Sequence, residues 1–239
     1  SMQEPCKLPS FDELVSNIKE QVDYAGMFRT RDEGEPPERY LGYLEEEGCD
    51  IKSSCASIIS KPTEASQLHR NILRLFESSS KARIVTTNFD TCFERANDKD
   101  EIIPPIYTAP ALPLGESFEG IVHLHGSVND PRSLVLTARD YGKAYITKGW
   151  ASSFLVDLFK SNTALFVGYS CNDSLVDYLT RSISAEIDGN AFTLVRSTED
   201  ASEWRSRGIQ AIPFDDYSQL PLCIGEWADD LSSSVTDRY

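Results

Sequence analysis

The fold of this chain is decided by residues 82–90, which read Ala82-Arg83-Ile84-Val85-Thr86-Thr87-Asn88-Phe89-Asp90. The first six residues are rich in strand formers, and the polar residues after them lead into a helix-like segment, 91–96. A strand that ends abruptly in a short loop before a helix is the repeating unit of sheets whose strands run parallel.

The same order of strand, loop and helix recurs further along the chain. The other predicted strands are 121–124, 163–167, 191–195 and 209–214. The strand at 163–167 is followed by an amphipathic segment, 173–184, which is predicted to be a helix. Continuous apolar strands separated by helices predict an α/β fold, a Rossmann-like parallel sheet with helices on both faces, over residues 82–215.

The region before the first strand is rich in helical patterns and forms a predicted helical sub-region over residues 10–80. Ser10 and Glu13 have the spacing of a capping box, which predicts a helix over residues 10–24. The proline-rich stretch 104–113 is predicted to be an ordered loop. We expect one domain, 1–231, and the serine-rich residues 232–239 indicate the start of a linker toward a further domain.

Composition excludes several classes of function. The 239 residues are 40% hydrophobic and carry a formal net charge of -15, so a nucleic acid is not expected as a direct partner. The sequence has neither an apolar run long enough to span a membrane nor a secretory signal, which predicts a cytoplasmic protein without membrane contact. The six cysteines include no C-x-x-C pair, so no metal site is predicted.

Polar residues and glycines follow the carboxyl ends of the predicted strands, where parallel sheets bind their ligands. They are Asn88, Asp90, His125, Gly168, Ser170, Arg196 and Ser197. His125 is the candidate base, because the ordinary pKa of histidine is near neutral. Gly126 beside it has no side chain and so permits a ligand to approach closely. The sequence contains neither the G-x-S-x-G nucleophile elbow nor a phosphate-binding Walker loop. This excludes serine hydrolases of the elbow type and P-loop nucleoside triphosphatases.

Structural interpretations stand beside these functional ones. Asn88 and Asp90 also suit a turn in which the aspartate caps the following helix, and a structural role is favoured for His123. Tyr141 and Tyr145 fit either a pocket lining or a packed aromatic pair. Residues alone therefore indicate a site that positions a polar ligand and moves a proton, without naming the ligand.

Three motifs in this order resemble the sirtuin-like family, and more narrowly the sirtuin-like NAD hydrolases of bacterial anti-phage defence. They are Thr86-Thr87-Asn88-Phe89-Asp90, His123-Leu124-His125-Gly126-Ser127 and Val167-Gly168-Tyr169-Ser170. Residues 136–141 also look like a recurrent element of that branch, and the resemblance covers about residues 8–215.

The resemblance implies NAD as the substrate and gives each motif a role. Asn88 would orient the nicotinamide ribose and the attacking water, His125 would act as the base, and Asp90 would bind the nicotinamide carboxamide. The residues that would complete the NAD site are Thr87, Phe89, Gly126, Gly168, Ser170, Arg196 and Ser197. Gly168 and Ser170 would contact the phosphates or the adenine-side ribose, with Arg196 and Ser197 near the adenosine.

The chain departs from the family pattern in two ways. Sirtuin deacylases carry two cysteine pairs that bind zinc, whereas Cys171 is the single cysteine between His125 and Cys223, so a protein deacylase is the less favoured activity. The family's opening strand and its glycine-rich G-A-G-x-S loop are also absent. We expect Ser1 to be the last residue of that loop, which predicts weak NAD binding by this chain alone.

Two functions therefore remain from the sequence. The first is a NAD⁺ glycohydrolase that needs no metal and depletes NAD in anti-phage defence. The alternative is a non-catalytic module that senses NAD or ADP-ribose and acts through oligomerisation or a partner. The resemblance further implies a homo-oligomer, with a phage-derived activator or a C-terminal sensor domain as its trigger.

Overall fold

The computed structural model describes residues 8–60, 64–97, 103–169, 190–199 and 201–236. These residues belong to two compact units. The first unit comprises Ser1–Leu112 and Glu119–Trp150, and the second comprises Pro113–Phe118 and Ala151–Tyr239. The domain limits expected from the sequence stay a prediction.

The first unit begins with four helices: α1 (Phe11–Val22), α2 (Pro37–Glu46), α3 (Ile51–Ile59) and α4 (Gln67–Leu73). The capping box at the start of α1 is present, because Ser10 Oγ accepts from the Glu13 N–H and the Glu13 carboxylate accepts from the Ser10 N–H. Leu14, Val15 and Ile18 form the buried face of α1. The predicted helix is confirmed, and it ends at Val22, two residues before its expected end.

The sheet of the first unit contains three parallel strands in the order β1–β3–β2. These are β1 (Arg83–Thr86), β2 (Ile106–Thr108) and β3 (Gly120–His123), and helix α5 (Cys92–Ala96) follows β1. The sequence prediction of a loop over 104–113 missed β2. This strand has three residues and lies at the sheet edge directly after two prolines, so it lacks the length and alternation that mark a strand.

The first unit ends with helix α6 (Ala138–Gly142), which continues into one π-helical turn (Lys143–Thr147). Thr137 and Asp140 form a second capping box at the start of α6. The main core of this unit packs α1, α2 and α3 against the loop that precedes α6, through Leu41, Leu44, Leu134 and Leu136.

The second unit contains a separate three-stranded parallel sheet in the order β4–β5–β6. Its elements are α7 (Trp150–Ser161), β4 (Ala164–Phe166), β5 (Ala191–Arg196), α8 (Ser202–Ser206), β6 (Gln210–Phe214) and α9 (Leu220–Thr236). The Phe166 ring stacks on Phe159 and also contacts Trp204, which joins the sheet to α7 and α8. The helix predicted at 173–184 lies outside the described residues.

Parallel sheets combined with helices confirm the predicted Rossmann-like α/β class. The described strands form two sheets of three, one in each unit, where the sequence predicted one sheet. Helix α9 includes Ser232–Ser234, the residues that indicated a linker in the sequence. Within the part of the chain that the structure describes, no helix combines the length and the apolarity needed to cross a membrane.

Candidate functional site

Asn88 and His125 lie side by side at one edge of the first sheet. Strands β1 and β3 pair in parallel, with Thr86 opposite His123. Asn88 lies two residues after Thr86, and His125 lies two residues after His123. The contact continues past the strands, because the Leu124 N–H donates to the Thr86 carbonyl at 2.9 Å and the Val128 N–H donates to the Phe89 carbonyl at 2.9 Å. The sheet register therefore places the two residues that the sequence identified as catalytic at the same end of the sheet, after neighbouring strands.

The loop that carries Asn88 is folded back on the strand before it. The Asn88 N–H donates to Thr86 Oγ1 at 3.1 Å, which fixes the backbone while the Asn88 side chain is exposed. Thr87 is half-buried. An exposed amide on a fixed backbone can both donate and accept hydrogen bonds, as an orienting group for a polar ligand must do.

Phe89 and Asp90 point into the protein. The Phe89 ring is buried in the core formed by α1, α2 and α3. Asp90 is 7% exposed, and its Oδ1 accepts from the Cys92 N–H, the first N–H of α5, at 2.9 Å. The N-cap residue of α5 is Thr91, so Asp90 supports the start of this helix from one position before the expected cap. A role in binding a nicotinamide carboxamide stays a prediction for Asp90.

His125 is a buried and uncharged imidazole. It is 2% exposed, and its Nε2 lies 2.7 Å from the Tyr145 hydroxyl. Burial lowers the pKa of His125 to about 3, because the charged form loses its solvation. At neutral pH this side chain is therefore a neutral group that shares one hydrogen bond with a tyrosine.

Gly126, next to His125, is required by the protein's own packing. Its φ is +87°, a conformation that side-chain-bearing residues rarely adopt. A Cβ at this position would overlap the backbone carbonyl of Ser133. The group that approaches Gly126 closely is thus the 3₁₀ turn Pro131–Ser133.

His123 has the structural partner that its sequence context favoured. It is 1% exposed, and its Nε2 lies 2.9 Å from Glu94 Oε1 of helix α5. Because this pair links β3 to α5, it helps to fix the strand whose end carries His125.

A second polar cluster, in the interior of the first unit, contains donor atoms of the kind that bind zinc. The ligand atoms of His69, Asp90 and Cys92 all lie within 4.8 Å of one another, and all three residues are buried. His69 Nδ1 is 2.7 Å from Ser66 Oγ, and burial lowers the pKa of His69. These residues could hold a divalent ion, and the sequence missed them because His69 is far from the other two in the chain.

The remaining site residues of the sequence lie in the second unit. Gly168 is the second residue after β4, with a φ of +78° and no heavy atom close to the position of a Cβ. Arg196, at the end of β5, pairs with Glu199 at 3.0 Å, and the Ser197 hydroxyl donates to Asp215 at 3.1 Å. Ser170 lies outside the described residues.

Sequence reasoning missed the role of two residues. Tyr145 contacts His125, yet the twenty residues between them leave no local pattern, and the stacked pair with Tyr141 fitted a plain packing role equally well. Asp215 follows β6 and accepts from Ser197. A carboxylate just after a predicted parallel strand was the available signal for Asp215.

Two comparisons with known proteins bear on this site. The family model described as SIR2-like domain matches residues 82–212, more than half of the chain and all of the strands from β1 to the middle of β6. The uncharacterized protein y4cA of Sinorhizobium fredii is 30% identical to this chain over 243 aligned positions. That alignment covers 87% of this chain and 20% of y4cA, so the chain spans about a fifth of the length of this relative.

Proposed function

Since this chain belongs to the SIR2-like domain family, we propose that it hydrolyses NAD⁺ at the bond between nicotinamide and ribose. Family membership indicates a function that uses NAD, and SIR2-like domains bind NAD as a substrate. The finer assignment, a hydrolase that releases nicotinamide and ADP-ribose, is our proposal.

The observation that carries the proposal is the register of β1 and β3. It puts Asn88, whose amide is exposed, and His125 each two residues beyond a paired position, at the carboxyl end of the same parallel sheet. An amide that orients water and ribose, together with a neutral base, suits the cleavage of an N-glycosidic bond, because the reaction needs a positioned water and a group that takes its proton.

The proposed reaction uses water as the nucleophile. The bond between C1′ of the ribose and the nicotinamide nitrogen breaks, and nicotinamide leaves with the bonding electron pair as a neutral molecule. The water oxygen then bonds to C1′, and His125 accepts the proton that the water loses. Asn88 holds the water and the ribose in line for this attack, which gives ADP-ribose, nicotinamide and one proton.

The described residues supply groups that suit two parts of NAD, the nicotinamide ribose and the adenosine. The nicotinamide ribose would meet Asn88 and His125, which can supply hydrogen bonds to its hydroxyls. On the adenosine side, Ser197 and Asp215 offer a hydroxyl and a carboxylate, the kind of groups that hold ribose hydroxyls in dinucleotide sites. We therefore propose that Asp215 joins Arg196 and Ser197 in binding the adenosine part.

The experiment is NAD turnover by the full-length protein, with NAD and nicotinamide separated by chromatography. Asn88→Ala and His125→Ala are each expected to slow NAD loss by about 10²-fold or more. Asn129→Ala removes the amide of a different exposed asparagine and serves as the matched control, with wild-type turnover expected. Equal loss of NAD in Asn88→Ala and Asn129→Ala would refute the role of Asn88.

We propose that this hydrolysis needs no metal, because Asn88 and His125 supply the orientation and the base. Turnover after exhaustive EDTA treatment is expected to equal turnover before it. Metal analysis of the same samples would report any ion bound near His69, Asp90 and Cys92. A rate that falls with EDTA and returns with one added metal would contradict this part of the proposal.

We propose NAD depletion in anti-phage defence as the biological role, on the strength of the resemblance in the three motifs. Cells that express the full-length protein should lose NAD and restrict phage growth, whereas cells with Asn88→Ala should do neither. Restriction that persists in Asn88→Ala would separate defence from hydrolysis. A homo-oligomer and a phage-derived activator belong to the same proposal, since depletion must wait for infection.

One observation favours the alternative of a sensor without turnover. In the described state the Nε2 atom of the candidate base is already hydrogen-bonded to Tyr145. A sensor would bind NAD or ADP-ribose in calorimetry without releasing nicotinamide, even with oligomers and the trigger present. Release of nicotinamide would exclude this alternative.

A further inference from the structure

Two tyrosines close around the imidazole of His125. The Tyr145 hydroxyl lies 2.7 Å from His125 Nε2, and the two rings are nearly perpendicular, at 86°. The Tyr141 ring meets the same imidazole edge-on at 5.3 Å and stacks on Tyr145 at an angle of 13°. With Tyr145 8% exposed and His125 2% exposed, the imidazole is shielded from solvent.

In the described state this arrangement prevents His125 from acting as a base through Nε2. A base must bring a ring nitrogen within hydrogen-bond distance of the proton that it takes. At Nε2 that position is filled by the Tyr145 hydroxyl, which has the same donor and acceptor capacity as a ribose hydroxyl or a water. Substrate and Tyr145 cannot both occupy it.

The segment that carries Tyr145 differs from the helix before it. Helix α6 is anchored at its start by the Thr137–Asp140 capping box and by the ion pair of Asp140 with Lys52 at 3.0 Å. Tyr145 instead lies on the π-helical turn Lys143–Thr147. Such turns are rare in proteins as a whole, and those that occur are often found at functional sites. Next to it Ile146 is 68% exposed, so little packing holds this turn on its outer side.

We propose that Tyr145 is the gate residue of the NAD site, and that the Lys143–Thr147 turn must carry its hydroxyl away from His125 before a substrate hydroxyl or water can bind Nε2. This inference rests on the proposed function, and it adds a residue that controls access to the base. The anchored start of α6 stays in place while the π-helical turn moves.

The gate also controls the strength of the base. In the closed state, burial lowers the pKa of His125 to about 3, where the imidazole is a weak base. Water that enters with the substrate restores solvation to the charged form, which moves the pKa back toward its ordinary value of about 6.5. Opening therefore uncovers the ring nitrogen and makes it basic in one step.

The test measures opening in a way that does not depend on NAD. Diethyl pyrocarbonate acylates an accessible neutral imidazole, and fragment-ion mass spectrometry of the peptide that contains His123 and His125 in the full-length protein gives the rate at His125 separately. Tyr145→Phe keeps the ring and removes the hydroxyl. Losing one hydrogen bond of the closed state should raise the acylation rate about two- to tenfold. Tyr145→Ala should raise it further.

NAD turnover gives the second reading. If both reactions wait for the same opening, Tyr145→Phe should raise the nicotinamide release rate by the same factor as the acylation rate. Tyr24→Phe is the matched control, because Tyr24 is 93% exposed and far from His125 in the chain. It should change neither rate.

The outcomes separate the gate from the hydrolase. Acylation of His125 at one rate in wild type, Tyr145→Phe and Tyr145→Ala would overturn the gate, whatever happens to NAD. Faster acylation without nicotinamide release in any variant, even with oligomers and the trigger present, would support the gate and refute the hydrolase. Turnover that falls in Tyr145→Phe as far as in His125→Ala would overturn the gate and make Tyr145 a partner in proton transfer.

Discussion

The carboxyl edges of the two sheets use the same topology to make opposite environments. At the first, His125 is 2% exposed and its hydrogen-bond partner Tyr145 is buried as well. At the second, Arg196 and Ser197 are exposed and pair with the carboxylates of Glu199 and Asp215. Parallel strand ends thus supply a place for polar groups, and burial decides what these groups can do.

The difference follows from the cost of charge. A buried imidazole stays neutral, and its interactions are strong because water does not compete for them. An exposed guanidinium keeps its charge and shares its carboxylate partner with water and salt. We expect proton transfer at the first edge and recognition at the second.

Replacing one glycine by alanine at each edge should give the largest difference in the free energy of unfolding. Gly126→Ala is expected to lower the free energy of unfolding by about 3 kcal/mol or more, because the φ of +87° is strained and the new Cβ overlaps the Ser133 carbonyl. Gly168→Ala has a similar φ but open space, so about 1 kcal/mol is expected. Denaturant unfolding of the two variants measures this, and equal losses would contradict the tight packing of Gly126.

The pH dependence of stability should be steeper than carboxylates alone would make it. The folded-state pKa of His125 is about 3 and its unfolded value about 6.5, so the unfolded chain binds the proton first. Stability is complete above about pH 6.5 and is lost as the pH falls toward 3, by up to about 1.4 kcal/mol per pH unit from this group. Burial lowers the pKa of His69 and adds loss of the same sign.

Unfolding measured between pH 7 and pH 5 isolates the histidines, because most carboxylates are still ionised there. His125→Gln should flatten the curve in this window, whatever its stability at pH 7. A slope unchanged by His125→Gln would mean that the imidazole is hydrated when the protein is folded.

The smallest change in stability is expected at the carboxyl edge of the second sheet, where the side chains are exposed. Glu199→Gln removes the partner of Arg196 from a pair that water surrounds, so the melting temperature should stay within about 1 °C of wild type. Thermal unfolding at low and at high salt measures this. A loss of several degrees at low salt would show that this pair is far more than a surface contact.

Much of the fold could be predicted because its signals are local. The capping box of Ser10 and Glu13 and the strand ending at Thr86 each depend on a few neighbouring residues. Strand β2 could not be predicted, since pairing with β3 rather than its own three residues makes it a strand. The same limit applies to His69, which meets Asp90 and Cys92 through the packing of α4 on α5.

For the site, the sequence by itself determined which residues end the strands, and so placed Asn88 and His125 at one predicted edge. Only the tertiary structure decided that His125 is buried and that Tyr145 holds its Nε2. The physical reason is that strand ends are set by local backbone preference, whereas burial and side-chain pairing depend on groups far apart in the chain. Local backbone preference therefore determines where the candidate catalytic residues lie, and tertiary packing determines their burial, their protonation state and their hydrogen-bond partners.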